Sequence, residues 1–275
     1  MLGQKFSVIM SVYAGDKAEY LQASIDSIYA NTLQPNEIVL VVDGPVGDDI
    51  SRVIKKYENQ WPENLKVIWL EDNKGHGNAR RVAMDNASCE IIAVMDSDDI
   101  CVPERFAKQI DYIKNHPEVS VVGGNIAEFI DTVSNVVGCR VVPGENSEIY
   151  KYLKRRCPFN HMSVMFRKAA VESAGGYIDW HYNEDYYLWI RMAEKGYKFA
   201  NLPEILVNVR VGKEMYQRRG GWKYFVSEYK LQKYMLAKGV ISCPIFAWNV
   251  ILRFLLQVVF PNNLRGVIFQ KLARK

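Results

Sequence analysis

The sequence lacks any pair of cysteines at metal-binding spacing. Its five cysteines, Cys89, Cys101, Cys139, Cys157 and Cys243, are odd in number and widely spread, with no CxxC. That argues against a zinc site and against a disulfide framework, and fits free thiols in a reducing compartment. The N-terminus has no basic stretch leading into an apolar one, which predicts no signal peptide. There is no internal repeat and no low-complexity tract in the 275 residues. No apolar run reaches the roughly 20 uninterrupted residues that a membrane-spanning helix wants. Acidic charge is scarce at the end: Arg218 to Lys275 hold 11 lysines and arginines against one acid, Glu228. The residues before them carry 24 basic and 30 acidic side chains. An acidic body therefore precedes a basic region suited to an anionic partner.

The first half alternates strand and helix. Near-continuous apolar runs, Phe6 to Tyr13, Glu37 to Val42, Leu65 to Leu70 and Ile91 to Met95, read as buried parallel strands. Leu21, Ile25 and Ile28 give a helical stripe, with Asp16 and Glu19 spaced as a capping box ahead of it. A helix is expected over 78–87, and another over 104–115 with Pro103 at its first position. Later come mixed short strands over 119–142, a strand at His161 to Phe166, and a helix at Asn183 to Gly196 with acids in its first turn and Gly196 as its C-terminal stop. The expected class is α/β: a Rossmann-like, mostly parallel central sheet with helices on both faces. The expected division is a catalytic domain over 1–212 and a basic, amphipathic helical region over 213–275.

In such sheets ligands bind beyond the carboxyl ends of the strands. Ser11 and Tyr13 end the first strand, Asp43 the second, and Asp96 and Asp98 the fourth, so one rim gathers them. In "IIAVMDSDDI" a buried strand runs into three carboxylates. Turn and cap chemistry accounts for Asp99 but not for the other two. A divalent Mg²⁺ or Mn²⁺ accounts for Asp96 and Asp98, since such ions take one or two carboxylates and complete their shells with phosphate oxygens. "NKGHGNARR" lacks the third glycine of a dinucleotide fingerprint and follows the wrong element.

The ordered series "SVIMSVY", "EIVLVVDG", "NKGHGNARRVAMDNASCEIIAVMDSDD" and "NEDYYLWIRM" resembles the family 2 inverting glycosyltransferases, which have a GT-A fold. The likeness runs from about Phe6 to Arg210. "EIVLVVDGP" and "RVGKEMYQRRGG" resemble the capsule and exopolysaccharide branch. The resemblance implies a nucleotide-diphosphate sugar, expected to be a UDP-sugar, as donor. Ser11 and Tyr13 would meet the base and Asp43 would accept a base N–H. Arg80 would approach the nucleotide or its phosphates. Asp96, Ser97 and Asp98 would form the metal- and ribose-binding turn, and Asp185 would be the general base. Family members commonly read PxYN after the first strand; here "SVYAGD" keeps only the tyrosine.

Other residues carry two readings. Glu184 and Asp185 also suit a helix N-terminus electrostatically. Asn160 and His161 are acceptor-side candidates, with a buried, satisfied histidine as the plain alternative. Trp180 and Trp189 suit a sugar face or the core. Arg210, Arg218 and Arg219 are diphosphate candidates or a generic basic surface; Asn78, Arg80 and Arg81 are read as opening the helix near the phosphates, with a solvated face as the other reading of Arg81. The stretch from Cys243 onward suits helices lying in a membrane interface, or packing on the catalytic domain. The expected acceptor is lipid-linked, on a polyprenyl diphosphate, or a polysaccharide, at the cytoplasmic face of the plasma membrane; nucleic acid is not an expected partner. Two further classes remain open from sequence: a Mg-dependent phosphatase of haloacid-dehalogenase type, although Ile100 stands where those enzymes carry Thr or Val, and a non-catalytic nucleotide-sugar-binding membrane protein.

Overall fold

The computed structural model describes residues 4–212 and 220–260. Its sheet has nine strands: β1 Phe6–Val12, β2 Glu37–Val42, β3 Leu65–Trp69, β4 Ile91–Val94, β5 Ile100–Cys101, β6 Val119–Phe129, β7 Val136–Arg140, β8 Met165–Arg167 and β9 Lys198–Arg210. The order is β3-β2-β1-β4-β8-β6-β9-β5, with β7 paired to β6. Strands β3, β2, β1 and β4 are parallel. Beyond β4 the sheet is mixed: β8 runs antiparallel to β4 and β6, while β6 and β9 are parallel. The parallel reading therefore holds for the half that carries the rim residues.

Alternation along the strands, with both faces apolar, recruits helices to both sides. On one face Val8, Met10, Leu40 and Val42 meet α1 (Ala18–Tyr29), α2 (Asp48–Gln60) and α4 (Arg105–Asn115) through Leu21, Ile25, Ile54 and Phe106. On the other, Ile9, Val39, Val41 and Val94 meet α3 (His76–Asn86) and α7 (Glu184–Glu194) through Ala83, Leu188 and Trp189. Helices α5 (Asn146–Leu153) and α6 (Lys168–Ser173) complete that layer. Trp189 is thus core, fully buried and stacked edge-on against Phe159.

Three local expectations are corrected. Lys17, not Asp16, caps α1, because Asp16 is turned toward the DSDD segment. Glu104 caps α4, which leaves Pro103 outside the helix. His161–Ser163 is a 3₁₀ turn and the strand begins only at Met165. Gly196 does end α7: with φ +77° it allows Tyr197 N–H to reach Met192 O and its own N–H to reach Ala193 O, a Schellman closure.

The expected boundary at 212/213 adjoins residues 213–219, which lie outside the described residues. Helix α8 (Trp222–Ala237) then packs on the second face through Leu231 and Met235. It is tied to the α7 approach by Ser227, whose hydroxyl donates to His181 O (2.6 Å) and accepts from Asn183 Nδ2 (3.3 Å), while Trp180 Nε1 donates to Ser227 O (3.4 Å). Helix α9 (Cys243–Phe254) and the π turn Leu255–Val259 follow. They are fixed by the Arg253–Glu228 ion pair and by Asn249 Nδ2 bridging Gln232 Oε1 and Lys154 O. No described helix is long and apolar enough to cross a membrane.

Candidate active site

At the end of β1, Ser11 is half-buried opposite Val41 of β2. Tyr13 is 40% exposed, and its ring lies so close over Gly15 that a Cβ there would come within 2.5 Å of it. The Asp16 carboxylate accepts from Tyr13 N–H (3.2 Å) and from Ser97 Oγ (2.9 Å). Ser97 therefore links the loop after β1 to the turn after β4. Asp43 is buried, and its two oxygens accept from the backbone N–H groups of Lys74 (2.8 Å) and Gly75 (3.0 Å). It pins the loop before α3 to the sheet, with a lone pair on each oxygen still available to a ligand.

Asp96 and Glu184 converge on Arg80. Its Nη2 donates to Asp96 Oδ1 and its Nη1 to Glu184 Oε1, each at 3.0 Å, inside the protein. Burial alone would raise Asp96, but Arg80, with His76, holds it below the usual carboxylate range. Burial pushes Glu184 up to about 7 against the pull of Arg80, with Asp185 adding to the rise. His76 stands over both carboxylates, 4.0 Å from Asp96 Oδ1 and 3.9 Å from Glu184 Oε1. Crowding and then the Arg80 charge push its pKa down, although its side chain is still 52% exposed, which weakens the first effect.

Burial, then Asp96 and Asp16, push Asp98 up to about 6, and among the described residues no cationic side chain stands within ion-pair distance of it. Asp99 caps no helix but closes the turn. Its buried carboxylate accepts from Arg210 N–H (2.9 Å), fastening the turn to the end of β9, and burial and its acidic neighbours push it well upward. Arg210 is not a free clamp: its guanidinium is stacked on Tyr20 (3.9 Å to the ring centre) and Phe129 (4.7 Å) and donates to Asp98 O and Asp131 O.

Asp185, in the first turn of α7, is half-buried. Its Oδ1 accepts from Tyr186 N–H (2.7 Å), and the Cys157 thiol lies 3.6 Å from Oδ2. Asn160 is buried, its amide nitrogen donating to Gly124 O (2.8 Å) and Arg140 O (3.4 Å), which ties β6 to β7, while its Oδ1 has no hydrogen-bond partner. His161 is buried against Tyr177 OH (2.9 Å), and burial keeps it neutral, with Nδ1 unpartnered. Trp180 is packed on Tyr187. Arg81 donates to Asn78 Oδ1 and its side chain is half exposed beside Asp85. Arg218 and Arg219 lie outside the described residues. The fold thus brings together Ser11, Tyr13, Asp43, Arg80, Asp96, Ser97, Asp98, Glu184 and Arg210. Sequence reasoning missed His76, Tyr20 and, by assigning it to a cap, Asp16; a fourth acid just past the first strand on the same rim was the available signal.

A carboxylate-lined rim on a half-parallel α/β sheet, with α7 closing over it, is the architecture of a GT-A glycosyltransferase. Residues 7–174 match the model of glycosyl transferase family 2, and residues 91–265 that of glycosyl transferase family group 2. The chain belongs to glycosyltransferase family 2. It is 41% identical to the amylovoran biosynthesis glycosyltransferase AmsE of Erwinia amylovora, over 84% of this chain and 86% of that one. It is 34% identical to the Escherichia coli UDP-Gal:alpha-D-GlcNAc-diphosphoundecaprenol beta-1,3-galactosyltransferase, over 98% and 97%. The mannosyltransferase PcManGT of Pyrobaculum calidifontis, solved with GDP-Man and Mn²⁺, superposes with a TM-score of 0.63 at 17% identity, covering 98% of this chain and 76% of that one. The phosphatase and non-catalytic readings gain no support from these likenesses.

Proposed function

We propose that this glycosyltransferase moves a sugar, with inversion, from a UDP-sugar to a lipid-linked or polysaccharide acceptor in cell-surface polysaccharide synthesis. The observation that carries it is the Arg80 fork, which joins the DSDD turn at Asp96 to Glu184 at the start of α7, one residue before Asp185. Inversion is a direct displacement at the anomeric carbon. One base is enough, because the diphosphate is already a good leaving group. Asp185 takes the acceptor proton; Ser11, Tyr13 and Asp43 hold the nucleotide base, and Ser97 orders the turn through Asp16. The relative's UDP-Gal donor and diphosphoundecaprenol acceptor support this donor and acceptor class.

The turn fits Mg²⁺ or Mn²⁺. Burial, then the charges of Asp96 and Asp16, raise Asp98, and Asp98 with Asp96 would hold the ion. No described group of three or more His, Cys, Asp or Glu side chains could hold a metal, so donor phosphates would complete the shell. When bound, the ion supplies positive charge to the departing diphosphate. The structural relative solved in complex with GDP-Man and Mn²⁺ is consistent with this.

The region 213–275 is assigned to the cytoplasmic face of the plasma membrane as a peripheral contact. On its described part Trp248 (65% exposed), Ile251 (56%) and Val259 (54%) face outward, with Lys223, Lys230, Lys233 and Lys238 exposed nearby in sequence. Exposed apolar side chains on α9 and exposed lysines on α8 are the residue types that suit an anionic lipid surface. Metal-dependent thermal stabilisation by a panel of nucleotide sugars identifies the donor, since bound ligand stabilises the fold by mass action. Asp98→Ala is expected to remove the metal dependence of UDP binding in calorimetry; binding that still responds to Mg²⁺ defeats the assignment.

A further inference from the structure

We infer that Arg80 is a positioning residue: it holds the start of α7 against the DSDD turn and acts through Glu184, not by gripping the donor. The inference rests on the reading that Asp96 and Asp98 serve the donor and Asp185 the acceptor. Arg80 projects from α3, and its two partners come from two other elements. Asp96 ends the β4 side and Glu184, 104 residues from Arg80 in sequence, begins α7. The guanidinium side chain is 7% exposed and both its terminal nitrogens are engaged at 3.0 Å. Approaching a diphosphate would mean breaking a buried ion pair and leaving a carboxylate uncompensated.

The contact is backed by close packing. A Cβ at Gly77 would lie 3.4 Å from Glu184 Cβ and 3.5 Å from Asp179 Cα, so the first turn of α3 abuts the start of α7. Glu184 is the residue before Asp185, so what fixes one end of that turn fixes the base. The two ends of the Arg80 fork therefore set the distance between the donor turn and the base. Lysine, with a single ammonium, cannot hold two carboxylates in fixed relation. Small displacements of reacting groups are costly: an ångström amounts to about 100-fold in rate.

The test is a double-mutant cycle of Arg80→Lys and Glu184→Gln in the full chain. Affinity is measured by calorimetry with UDP and Mg²⁺. Turnover is measured as UDP release from the nucleotide sugar giving the largest metal-dependent stabilisation. The expected result is a fall in kcat of about 100-fold in each single variant. The double variant should be no worse than the weaker single, because both remove the same tie, and UDP affinity should stay within about threefold in Glu184→Gln. Multiplicative losses, an unchanged kcat in Glu184→Gln, or a tenfold loss of UDP affinity in Arg80→Lys with kcat retained would overturn it. Thermal unfolding identifies a variant that fails to fold, and Arg80→Met then replaces Arg80→Lys in the cycle. Asp185→Asn is run alongside: normal turnover there removes the base assignment, whatever the cycle returns.

Discussion

On the proposed reading Asp185 and Asp98 have opposite tasks, and their surroundings differ accordingly. Asp98 is pushed up to about 6 by burial and then by Asp96 and Asp16, a state a cation would relieve. Asp185 has one oxygen on the Tyr186 amide and the other beside the weakly donating Cys157 thiol, and no cation within ion-pair distance among the described residues. A carboxylate so placed can accept a proton without first breaking a strong ion pair. Asp185→Asn keeps the shape and removes the basic oxygen. It is expected to leave UDP affinity unchanged while cutting kcat by about 10²–10⁴, the range of a lost general base. Calorimetry paired with UDP-release kinetics checks this, and a parallel loss of affinity would count against it. The types of these residues were legible in the sequence; their pairings were not. Asp16 fitted a capping box by spacing alone, and its true partner, Ser97, lies 81 positions away.

At the scale of elements, the loop from β3 to α3 is held by the residue that ends β2. Asp43 takes the amides of Lys74 and Gly75, and Gly44 turns immediately afterward with φ +86°. A Cβ at Gly44 would come within 2.6 Å of Asn73 N, which is backbone and cannot swing aside. Gly44→Ala is therefore expected to cost about 1–3 kcal/mol from the left-handed conformation and the displaced loop. It should also weaken UDP binding, because the displaced loop is the one held by Asp43, the residue proposed to meet the nucleotide base. Thermal unfolding and calorimetry read the two effects, and an unshifted midpoint would contradict the argument. Strands β1 to β4 and the end of α7 were legible because apolar runs and a stop glycine act locally. The β8 start was misplaced because a 3₁₀ turn consumes His161–Ser163.

Across the whole molecule, the helices after residue 220 are continuous with the catalytic core. Leu231 and Met235 pack in the same cluster as Trp189 and Val94, and Ser227 braces the approach to α7. Leu231 is fully buried, so Leu231→Ala should cost about 2–5 kcal/mol. The loss should appear as a lower midpoint of one unfolding transition; a separate early transition would mean that α8 folds on its own. The sequence by itself determined the α/β class, the parallel half of the sheet and the rim on which the acids collect. These follow from hydrophobic period and chain order, which are local signals. Only the tertiary structure decided that Arg80 is spent on Asp96 and Glu184, that Arg210 is stacked on Tyr20 and Phe129, and that Asp99 fastens β9. Each of those roles depends on which distant carbonyl, ring or carboxylate arrives beside a side chain, and that is set by the packing of elements, not by spacing along the chain.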